Sequence, residues 1–302
     1  MNMKNELILT MILVAFAACS IAPSEKTETN NMTASHQTQT SGSDLKSSGY
    51  ADVNGISMYY EIYGEGKPLV LIHGGASTIE TTFGRLIPNL ATTRQIIAVE
   101  LQGHGHTSDR DTDLTFEQDA DDVVTLLRKL KIARADILGF SNGGTTAVQL
   151  AIRNPGLVNH VVAASALLKR NGAPPQFWDF MKQATLNHMP DAYKQAAISI
   201  HGDSARLKRM HDKCAKRMIQ FKDVSDEDLQ SIKAPVLLVN GTADVAIPEH
   251  LIQMSKLIPN CKYAIIPGGH GEYLGEITTL QTEKTNLEIL PILEKFLDAD
   301  IR

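Results

Sequence analysis

Six short, nearly continuous apolar runs constrain the fold of this 302-residue chain more than any other feature. Each run is bounded by glycine, proline or polar residues, and most are separated by patterns typical of helices. Runs this short suit strands that are buried on both faces of a parallel sheet. The runs comprise residues 69–72, 96–99, 137–138, 161–164, 236–239 and 264–266.

Two further strands are predicted before the first of these runs. Residues 56–63 alternate and are rich in aromatic residues, which favours an antiparallel strand beside a shorter one at residues 50–53. Among the helical patterns, Thr115 and Gln118 form a predicted capping box at the start of an amphipathic segment. The alternation predicts an α/β fold, with a mostly parallel eight-stranded sheet flanked by helices.

One insertion interrupts this alternation at about residues 166–231, where the sequence is helical and contains no convincing strand. We expect it to form a helical cap. Its longest apolar stripe runs from Leu207 to Phe221, and six lysine and arginine residues lie mostly off that stripe. This basic face is either a solvated helix surface or a surface that attracts an anionic substrate or a membrane.

The first nineteen residues differ from the rest of the chain. Lys4 gives a weakly positive start, and residues 7–18 form an apolar run that is too short to span a bilayer, which needs about twenty residues. The small residues before Cys19 resemble the lipobox of bacterial lipoproteins, which implies a lipoprotein-type signal peptide over residues 1–19, lipidation of Cys19 and attachment of the exported protein to a bacterial membrane. The alternative is a secretory signal peptide with an incidental cysteine.

Composition separates a polar linker from a folded domain. Residues 20–49 contain almost no large apolar residues and cannot bury enough surface to order themselves, whereas residues 50–302 carry the predicted sheet and cap. A hydrophobic content of 43% supports a core without disulfides or metals, and no bond is expected between Cys214 and Cys261. The net charge of -5 argues against nucleic acid as a partner.

A candidate nucleophile lies where a buried strand turns into a helix. Residues 139–143 read Gly-Phe-Ser-Asn-Gly, so Ser141 has glycines two positions away on each side. Such a turn strains the serine backbone and exposes its hydroxyl at a helix N-terminus. There the backbone N–H of Asn142 can stabilise a developing oxyanion.

A base and an orienting acid follow in the order that such a serine requires. Asp244 and His270 each come just after a predicted strand, at the edge where parallel sheets place their ligands. Singly, Asp244 could cap the helix before Pro248 and His270 could be an ordinary loop histidine. Together with the glycine-flanked Ser141, they predict a catalytic triad.

Residues 73–75, His-Gly-Gly, follow the strand at residues 69–72 and offer a second oxyanion donor, which we assign to the N–H of Gly75. We interpret His73 as structural. The histidines at 104 and 106 belong to a predicted turn, because no cysteine or acidic cluster completes a metal site with them.

These segments, in this order, resemble the α/β-hydrolase fold family, and the resemblance covers residues 50–302. The matching pieces are residues 73–75, 102–105, 139–144, 241–244 and 269–270. The resemblance implies that the insertion is the cap that shapes the substrate pocket. Thr242, Glu100 and Gln102 depart from the family pattern without touching the predicted triad.

The predicted function is that of a serine hydrolase that cleaves an ester, thioester or lactone of a small, fairly apolar acid. No metal or organic cofactor is expected, and the partner is a small-molecule substrate. A peptidase, a carbon–carbon bond hydrolase or a perhydrolase would use the same triad, and a non-catalytic ligand-binding or receptor protein can retain it. Aromatic residues at the start of the cap, Phe177, Trp178 and Phe180, line the pocket or pack in the core together with Met181.

Overall fold

A computed structural model of the chain describes residues 44–279 and 287–299. Within them, one sheet has the strand order β1-β2-β4-β3-β5-β6-β7-β8. The strands are β1 (Leu45–Val53), β2 (Ile56–Tyr63), β3 (Lys67–Ile72), β4 (Arg94–Val99), β5 (Ala135–Phe140), β6 (Val158–Ala164), β7 (Val236–Gly241) and β8 (Cys261–Ile266). Strand β2 pairs antiparallel with β1 and β4, and all other pairings are parallel. The predicted mostly parallel eight-stranded sheet is confirmed.

Both faces of the central strands are buried, and successive residues of a strand point to opposite faces, whereas the edge strand β8, predicted from residues 264–266 to be buried on both faces, is half-exposed. In β3, Val70 and Ile72 join one hydrophobic cluster, whereas Leu69 and Leu71 join another. All four side chains are fully buried. This double burial explains why the central strands appear in the sequence as continuous apolar runs.

Helices cover each face. In chain order they are α1 (Ile79–Phe83), α2 (Ile87–Leu90), α3 (Phe116–Lys129), α4 (Asn142–Arg153), α5 (Pro175–Gln183), α6 (Asp191–His201), α7 (Ser204–Ile219), α8 (Asp226–Ser231), α9 (Pro248–Leu257) and α10 (Leu290–Leu297). Residues of α3, α4, α8 and α9 pack in the first cluster, and residues of α1, α2 and α10 pack in the second. The sheet is therefore the middle of three layers.

The predicted helical cap lies between β6 and β7. It consists of α5, α6 and α7, which pack on one another through two smaller hydrophobic clusters. Helix α8 does not belong to the cap, because Leu229 is fully buried in the main core. The cap helices thus end at Ile219, inside the range of about 166–231 expected from sequence.

The basic face of α7 docks onto the first turn of α3 and onto the core segment that leads into it. Arg217 and Asp119 form an ion pair at 2.6 Å in which both side chains are at least 97% buried. The other contacts are Lys213 with Asp109, Lys216 with Asp113, and Arg206 with the carbonyl oxygens of Gly105 and Thr107. The interpretation of this face as a merely solvated surface is wrong for Arg217 and Lys213, whose side chains are 3% and 18% exposed, whereas the Lys216 side chain stays half-exposed beside Asp113.

The structure also corrects two local predictions, the end of the linker and the capping box. Strand β1 begins at Leu45, within the range 20–49 assigned to the linker, because its outer residues pair through their backbone while their side chains stay exposed. The Thr115 hydroxyl accepts a hydrogen bond from the Gln118 N–H, but the Gln118 side chain donates to Asp122 instead of returning to Thr115. The predicted capping box is therefore only a single cap.

The predicted signal peptide, Cys19 and most of the predicted linker lie outside the described residues. In the part of the chain that the structure describes, no helix combines the length and apolar character that crossing a membrane requires. Cys214 and Cys261 are free thiols.

Candidate active site

The turn between β5 and α4 holds Ser141 in a backbone conformation that L-residues rarely adopt, with φ 54° and ψ -119°. Two glycines let the strand and the helix approach closely enough to form it. A β-carbon at Gly139 would lie 2.0 Å from the carbonyl oxygen of Gly143, and one at Gly143 would lie 2.1 Å from that of Ile72. The sharp turn expected from residues 139–143 is present.

Three residues predicted from sequence meet at the carboxyl edge of the sheet. Nε2 of His270 lies 3.1 Å from Oγ of Ser141, and Nδ1 of His270 lies 2.6 Å from Oδ1 of Asp244. Asp244 follows β7 and His270 follows β8, the neighbouring strand. Parallel strands end at the same edge, so residues that are distant along the chain become hydrogen-bonded neighbours.

The Asp244 carboxylate is completely buried and accepts four hydrogen bonds. Oδ1 accepts from His270 and from the Val245 N–H, and Oδ2 accepts from the Ser165 hydroxyl at 2.5 Å and the Gly241 N–H at 3.1 Å. Burial alone raises the pKa of Asp244, but the charge of His270 and these hydrogen bonds hold it below the ordinary value of 3.8. The carboxylate is therefore ionised at neutral pH.

The alternative role of Asp244 as a helix cap does not fit the structure. Helix α9 begins at Pro248, and its N-cap is Ile247, which makes no side-chain cap. The hydrogen bonds that Asp244 accepts come from Gly241 and Val245 in its own loop, from Ser165 after β6 and from His270 after β8.

His270 is half-buried, with 33% of its side chain exposed, and its ring packs 4.8 Å from the ring of Phe140. Burial lowers the pKa of His270, while the carboxylates of Asp244 and Glu276 raise it. The net effect is a pKa above the ordinary 6.5. The hydrogen bond from Nδ1–H to Asp244 leaves the lone pair of Nε2 facing the Ser141 hydroxyl, which is the arrangement of a general base.

The loop after β3 lies against this site. A β-carbon at Gly74 would lie 3.4 Å from Cβ of Ser141, and one at Gly75 would lie 2.2 Å from Nδ2 of Asn142. Asn142 is the first residue of α4, so its N–H lies in the turn where helical N–H groups have no carbonyl partner within the helix. The two backbone segments predicted to supply oxyanion donors are thus adjacent beside Ser141.

Two buried histidines shape that loop. Nδ1 of His73 donates to the carbonyl oxygen of Gly74, and its Nε2 accepts from the Leu101 N–H. Nε2 of His104 accepts from the N–H of Ala76, a non-glycine residue with φ 60°. Burial lowers the pKa of His73 to about 3, which keeps it neutral. The structural interpretation of His73 is consistent with these contacts.

The segment at residues 102–106 forms a turn, as expected, with the N–H of Thr107 bonded to the carbonyl oxygen of His104. His106 pairs with Glu100 at 3.0 Å. Across residues 44–279 and 287–299, no group of three or more histidine, cysteine, aspartate or glutamate side chains is placed to hold a metal ion.

A pocket opens above Ser141, with a cavity volume of about 60 Å³. The cap contributes Phe177 and Met218 to its walls, and the core loops contribute Leu167 and Val245. Of the cap-entrance residues considered from sequence, only Phe177 lines this pocket. Trp178 is buried in the cap, where its ring packs 5.4 Å from that of Phe221.

Sequence reasoning missed Ser165 and Tyr273. Ser165 directly follows β6, and its hydroxyl bonds to both Asp244 and the Tyr273 hydroxyl. The available signal for Ser165 was its position after a buried strand, the same signal that singled out Asp244 and His270. Tyr273 lies three residues after His270 and carries no local pattern that predicts its contact.

Residues 67–209 match the family model described as alpha/beta hydrolase fold. The chain is 26% identical over 228 residues to the human serine hydrolase BPHL, which covers 72% of this chain and 77% of that protein. It is 38% identical over 103 residues to 2-hydroxymuconate semialdehyde hydrolase of Pseudomonas sp. strain CF600, which covers 33% of this chain and 36% of the relative.

Among solved structures, the enol-lactonase of Burkholderia xenovorans LB400 superposes with a TM-score of 0.66 at 21% identity. The match covers 83% of this chain and all of the enol-lactonase chain. These likenesses and the sheet order agree on one architecture.

Proposed function

We propose that this chain, which has the α/β-hydrolase fold, is a serine hydrolase in which Ser141 is the nucleophile, His270 the general base and Asp244 the residue that orients His270. The observation that carries the proposal is the continuous hydrogen-bonded path Ser141 Oγ, His270 Nε2, His270 Nδ1 and Asp244 Oδ1. A serine hydroxyl becomes a competent nucleophile when such a base removes its proton.

In the proposed reaction, Ser141 Oγ attacks a carbonyl carbon while its proton moves to Nε2 of His270. The ionised Asp244 stabilises the imidazolium that forms. Collapse of the tetrahedral intermediate expels the leaving group, which takes the proton from His270, and leaves an acyl group on Ser141. Water then attacks this acyl-enzyme and loses a proton to the same histidine, and as the acid is released His270 returns that proton to Oγ of Ser141.

The N–H groups of Gly75 and Asn142 are the proposed oxyanion donors. The oxygen of the attacked carbonyl gains negative charge, and donors fixed in advance stabilise that charge without reorganisation. The N-terminus of α4 adds the positive end of a helix dipole at the same point. The strained conformation of Ser141 keeps the nucleophile beside both donors.

The proposed substrate is an ester, thioester or lactone of a small, fairly apolar acid. The cavity of about 60 Å³ has room for only a few water-sized groups, and apolar side chains form much of its wall. The likeness to proteins named as a serine hydrolase and an enol-lactonase supports hydrolysis of this class of bond.

A panel of aryl esters that differ only in acyl length tests the substrate class. We expect kcat/KM for the acetyl ester to exceed that for the octanoyl ester by at least about tenfold, because the longer chain does not fit the cavity. Phe177→Ala removes a wall of the pocket, so this ratio should shrink in the variant. A preference for the octanoyl ester in the wild type would refute the proposal of a small acid.

Carbon–carbon bond hydrolysis is the second candidate, favoured by the local identity of 38% to a protein named 2-hydroxymuconate semialdehyde hydrolase. Turnover of a vinylogous 1,5-diketone acid with no turnover of any ester in the panel would select it. Peptidase activity can be assayed in the same enzyme with an aminoacyl anilide. Perhydrolase activity can be assayed with hydrogen peroxide and a short carboxylic acid. A protein that binds such compounds and turns over none of them is a receptor.

We also propose that the protein is exported and anchored to a bacterial membrane through a lipid on Cys19. The support is the apolar run at residues 7–18 followed by small residues and the cysteine. Radiolabelled palmitate should label the wild-type protein in its native host and should not label Cys19→Ala. Equal labelling of the two proteins would refute the anchor, and the absence of label from both would favour a plain secretory signal.

A further inference from the structure

Two buried hydroxyl groups form a chain of hydrogen bonds that ends on Oδ2 of Asp244, the carboxylate oxygen that does not bind His270. The Ser165 hydroxyl donates to Oδ2 of Asp244 at 2.5 Å, and the Tyr273 hydroxyl lies 2.6 Å from Oγ of Ser165. Ser165 is 3% exposed and Tyr273 is 2% exposed, so bulk water does not compete for these hydrogen bonds. The arrangement joins the ends of β6 and β7 to the segment that follows His270.

The direction of these hydrogen bonds follows from the chemistry of the groups. An ionised carboxylate only accepts, so the hydroxyl proton of Ser165 points at Asp244. Oγ of Ser165 then has lone pairs free for the Tyr273 hydroxyl, which donates to it and lies 3.3 Å from the carbonyl oxygen of Val239. Hydrogen-bond donation therefore has one direction: the Tyr273 hydroxyl donates to Ser165, and the Ser165 hydroxyl donates to Asp244.

The backbone of Ser165 has a strained conformation that surrounding contacts hold in place. Its φ of 52° lies in the left-handed region, which non-glycine residues rarely occupy. Its N–H is held at 2.7 Å from the carbonyl oxygen of Val239, in the neighbouring strand. Strain of this kind persists only where surrounding contacts over-determine the conformation, and here those contacts aim the hydroxyl at Asp244.

We propose that Tyr273 and Ser165 form a donor chain that offsets part of the negative charge of Asp244 and thereby extends to lower pH the range in which His270 acts as a base. Ser165 and Tyr273 are positioning residues, because their hydrogen bonds reach His270 through Asp244, although Ser165 also lines the pocket above Ser141. The inference rests on the roles proposed for Ser141, His270 and Asp244.

The hydrogen bonds that remain at Asp244 determine whether removal of the Ser165 hydroxyl raises or lowers the pKa of His270. The N–H groups of Gly241 and Val245 bind one carboxylate oxygen each, so Asp244 stays in place when the Ser165 hydroxyl is removed. Its charge is then less compensated and stabilises the protonated form of His270 more strongly. The other acid that raises the pKa of His270 is Glu276, whose side chain accepts hydrogen bonds from Tyr193 and Thr278.

The experiment is an NMR titration of His270 in the full chain, with 13C-labelled histidine and His270→Ala to assign the resonance. In Ser165→Ala we expect the titration midpoint to rise by about half a pH unit or more, since hydrogen bonds to charged groups are among the strong ones. Tyr273→Phe should raise it by less. The double variant should match Ser165→Ala, because Tyr273 acts through Ser165.

The matched controls are Ser199→Ala and Tyr263→Phe, at exposed positions outside the Ser141–His270–Asp244 hydrogen-bonded path, which should leave the midpoint unchanged. An unchanged or lowered midpoint in Ser165→Ala would overturn the proposal, provided that its near-ultraviolet circular dichroism matches the wild type. If Ser165→Ala does not fold, an unchanged midpoint in the isosteric Tyr273→Phe would overturn it instead.

This titration needs no substrate, so its outcome is distinguishable from that of the proposed function. A raised midpoint in a protein that hydrolyses no ester would leave the donor chain standing and refute the hydrolase. Ester hydrolysis by a Ser165→Ala variant with an unchanged His270 titration would leave the hydrolase standing and refute the donor chain.

Discussion

The α-carbon of Gly143 packs so closely against the carbonyl oxygen of Ile72 that a β-carbon on it would lie 2.1 Å from that oxygen. A distance this short is a steric clash with backbone, which cannot rotate away as a side chain can. The contact fixes how near α4 comes to β3, and that distance in turn places Ser141 beside the loop of Gly75. The packing of α4 against β3 and the position of Ser141 therefore both require that residue 143 has no β-carbon.

Gly143→Ala should lower the free energy of unfolding by about 1–3 kcal/mol and abolish ester hydrolysis, because α4 must move away from β3. Chemical denaturation and an aryl ester assay measure the two effects. Gly156→Ala is the matched control, since a β-carbon there has no neighbour within 4 Å, and it should stay within about 0.5 kcal/mol of wild type. Full activity in Gly143→Ala would contradict this account of the elbow.

Asp244→Asn should reduce kcat by about 10³- to 10⁴-fold while the fold survives. The amide is nearly isosteric, but it cannot stabilise an imidazolium or hold the same histidine tautomer. Steady-state kinetics with an aryl ester gives the value, and Asp111→Asn, at an exposed position, should behave as wild type. A loss of less than about tenfold would show that Asp244 does not orient His270.

The pH dependence of kcat/KM should have an acidic limb with its midpoint above 6.5. Burial lowers the pKa of His270, but the Asp244 and Glu276 carboxylates together raise it further, and below that pKa the protonated ring cannot accept the proton of Ser141. Activity is thus lost as pH falls through this value. In Asp244→Asn the midpoint should move down, because the negative charge is gone. A limb that stays in place in this variant would assign the titration to another group.

The buried ion pair of Arg217 and Asp119 anchors the cap. Arg217→Met should lower the free energy of unfolding by about 3–5 kcal/mol, because it leaves the carboxylate of Asp119 buried without a counter-charge. Burial already raises the pKa of Asp119 despite the nearby arginine. Arg209→Met is the control, since Arg209 is 60% exposed and its ion pair is long at 4.0 Å.

A double variant separates the ion pair from a general loss of packing at α7. Adding Asp119→Asn to Arg217→Met removes the uncompensated charge, so the double variant should be more stable than the sum of the two single effects predicts. Simple additivity would mean that the two charges do not interact.

The sequence was sufficient wherever a short local pattern specifies the structure. The central strands, such as β3 at Lys67–Ile72, are buried on both faces and appear as apolar runs. Residues 139–143 specify the sharp turn because glycine is required on both sides of Ser141. Asp244 and His270 could be predicted because each lies a few residues past the carboxyl end of a predicted strand.

Contacts between segments that are distant along the chain could not be predicted, because they leave no local pattern in the sequence. Nothing in the sequence near Tyr273 indicates that its hydroxyl meets Ser165, which lies 108 positions earlier. The partners of the basic residues of α7 lie about 100 positions away, so helical spacing alone made this face look solvated. At the sheet edges, the half-exposed strands β1 and β8 extend beyond the apolar residues that predicted them.

Labelling with a fluorophosphonate probe, followed by peptide mapping, tests the central claim most directly, because the probe reacts only with a serine that has been activated as a nucleophile. We predict one label per wild-type chain, located on Ser141. We predict no label on Ser141→Ala, with aryl ester hydrolysis reduced by at least about 10³-fold, and normal labelling of Ser199→Ala. Labelling or hydrolysis that persists at the wild-type level in Ser141→Ala would contradict the account.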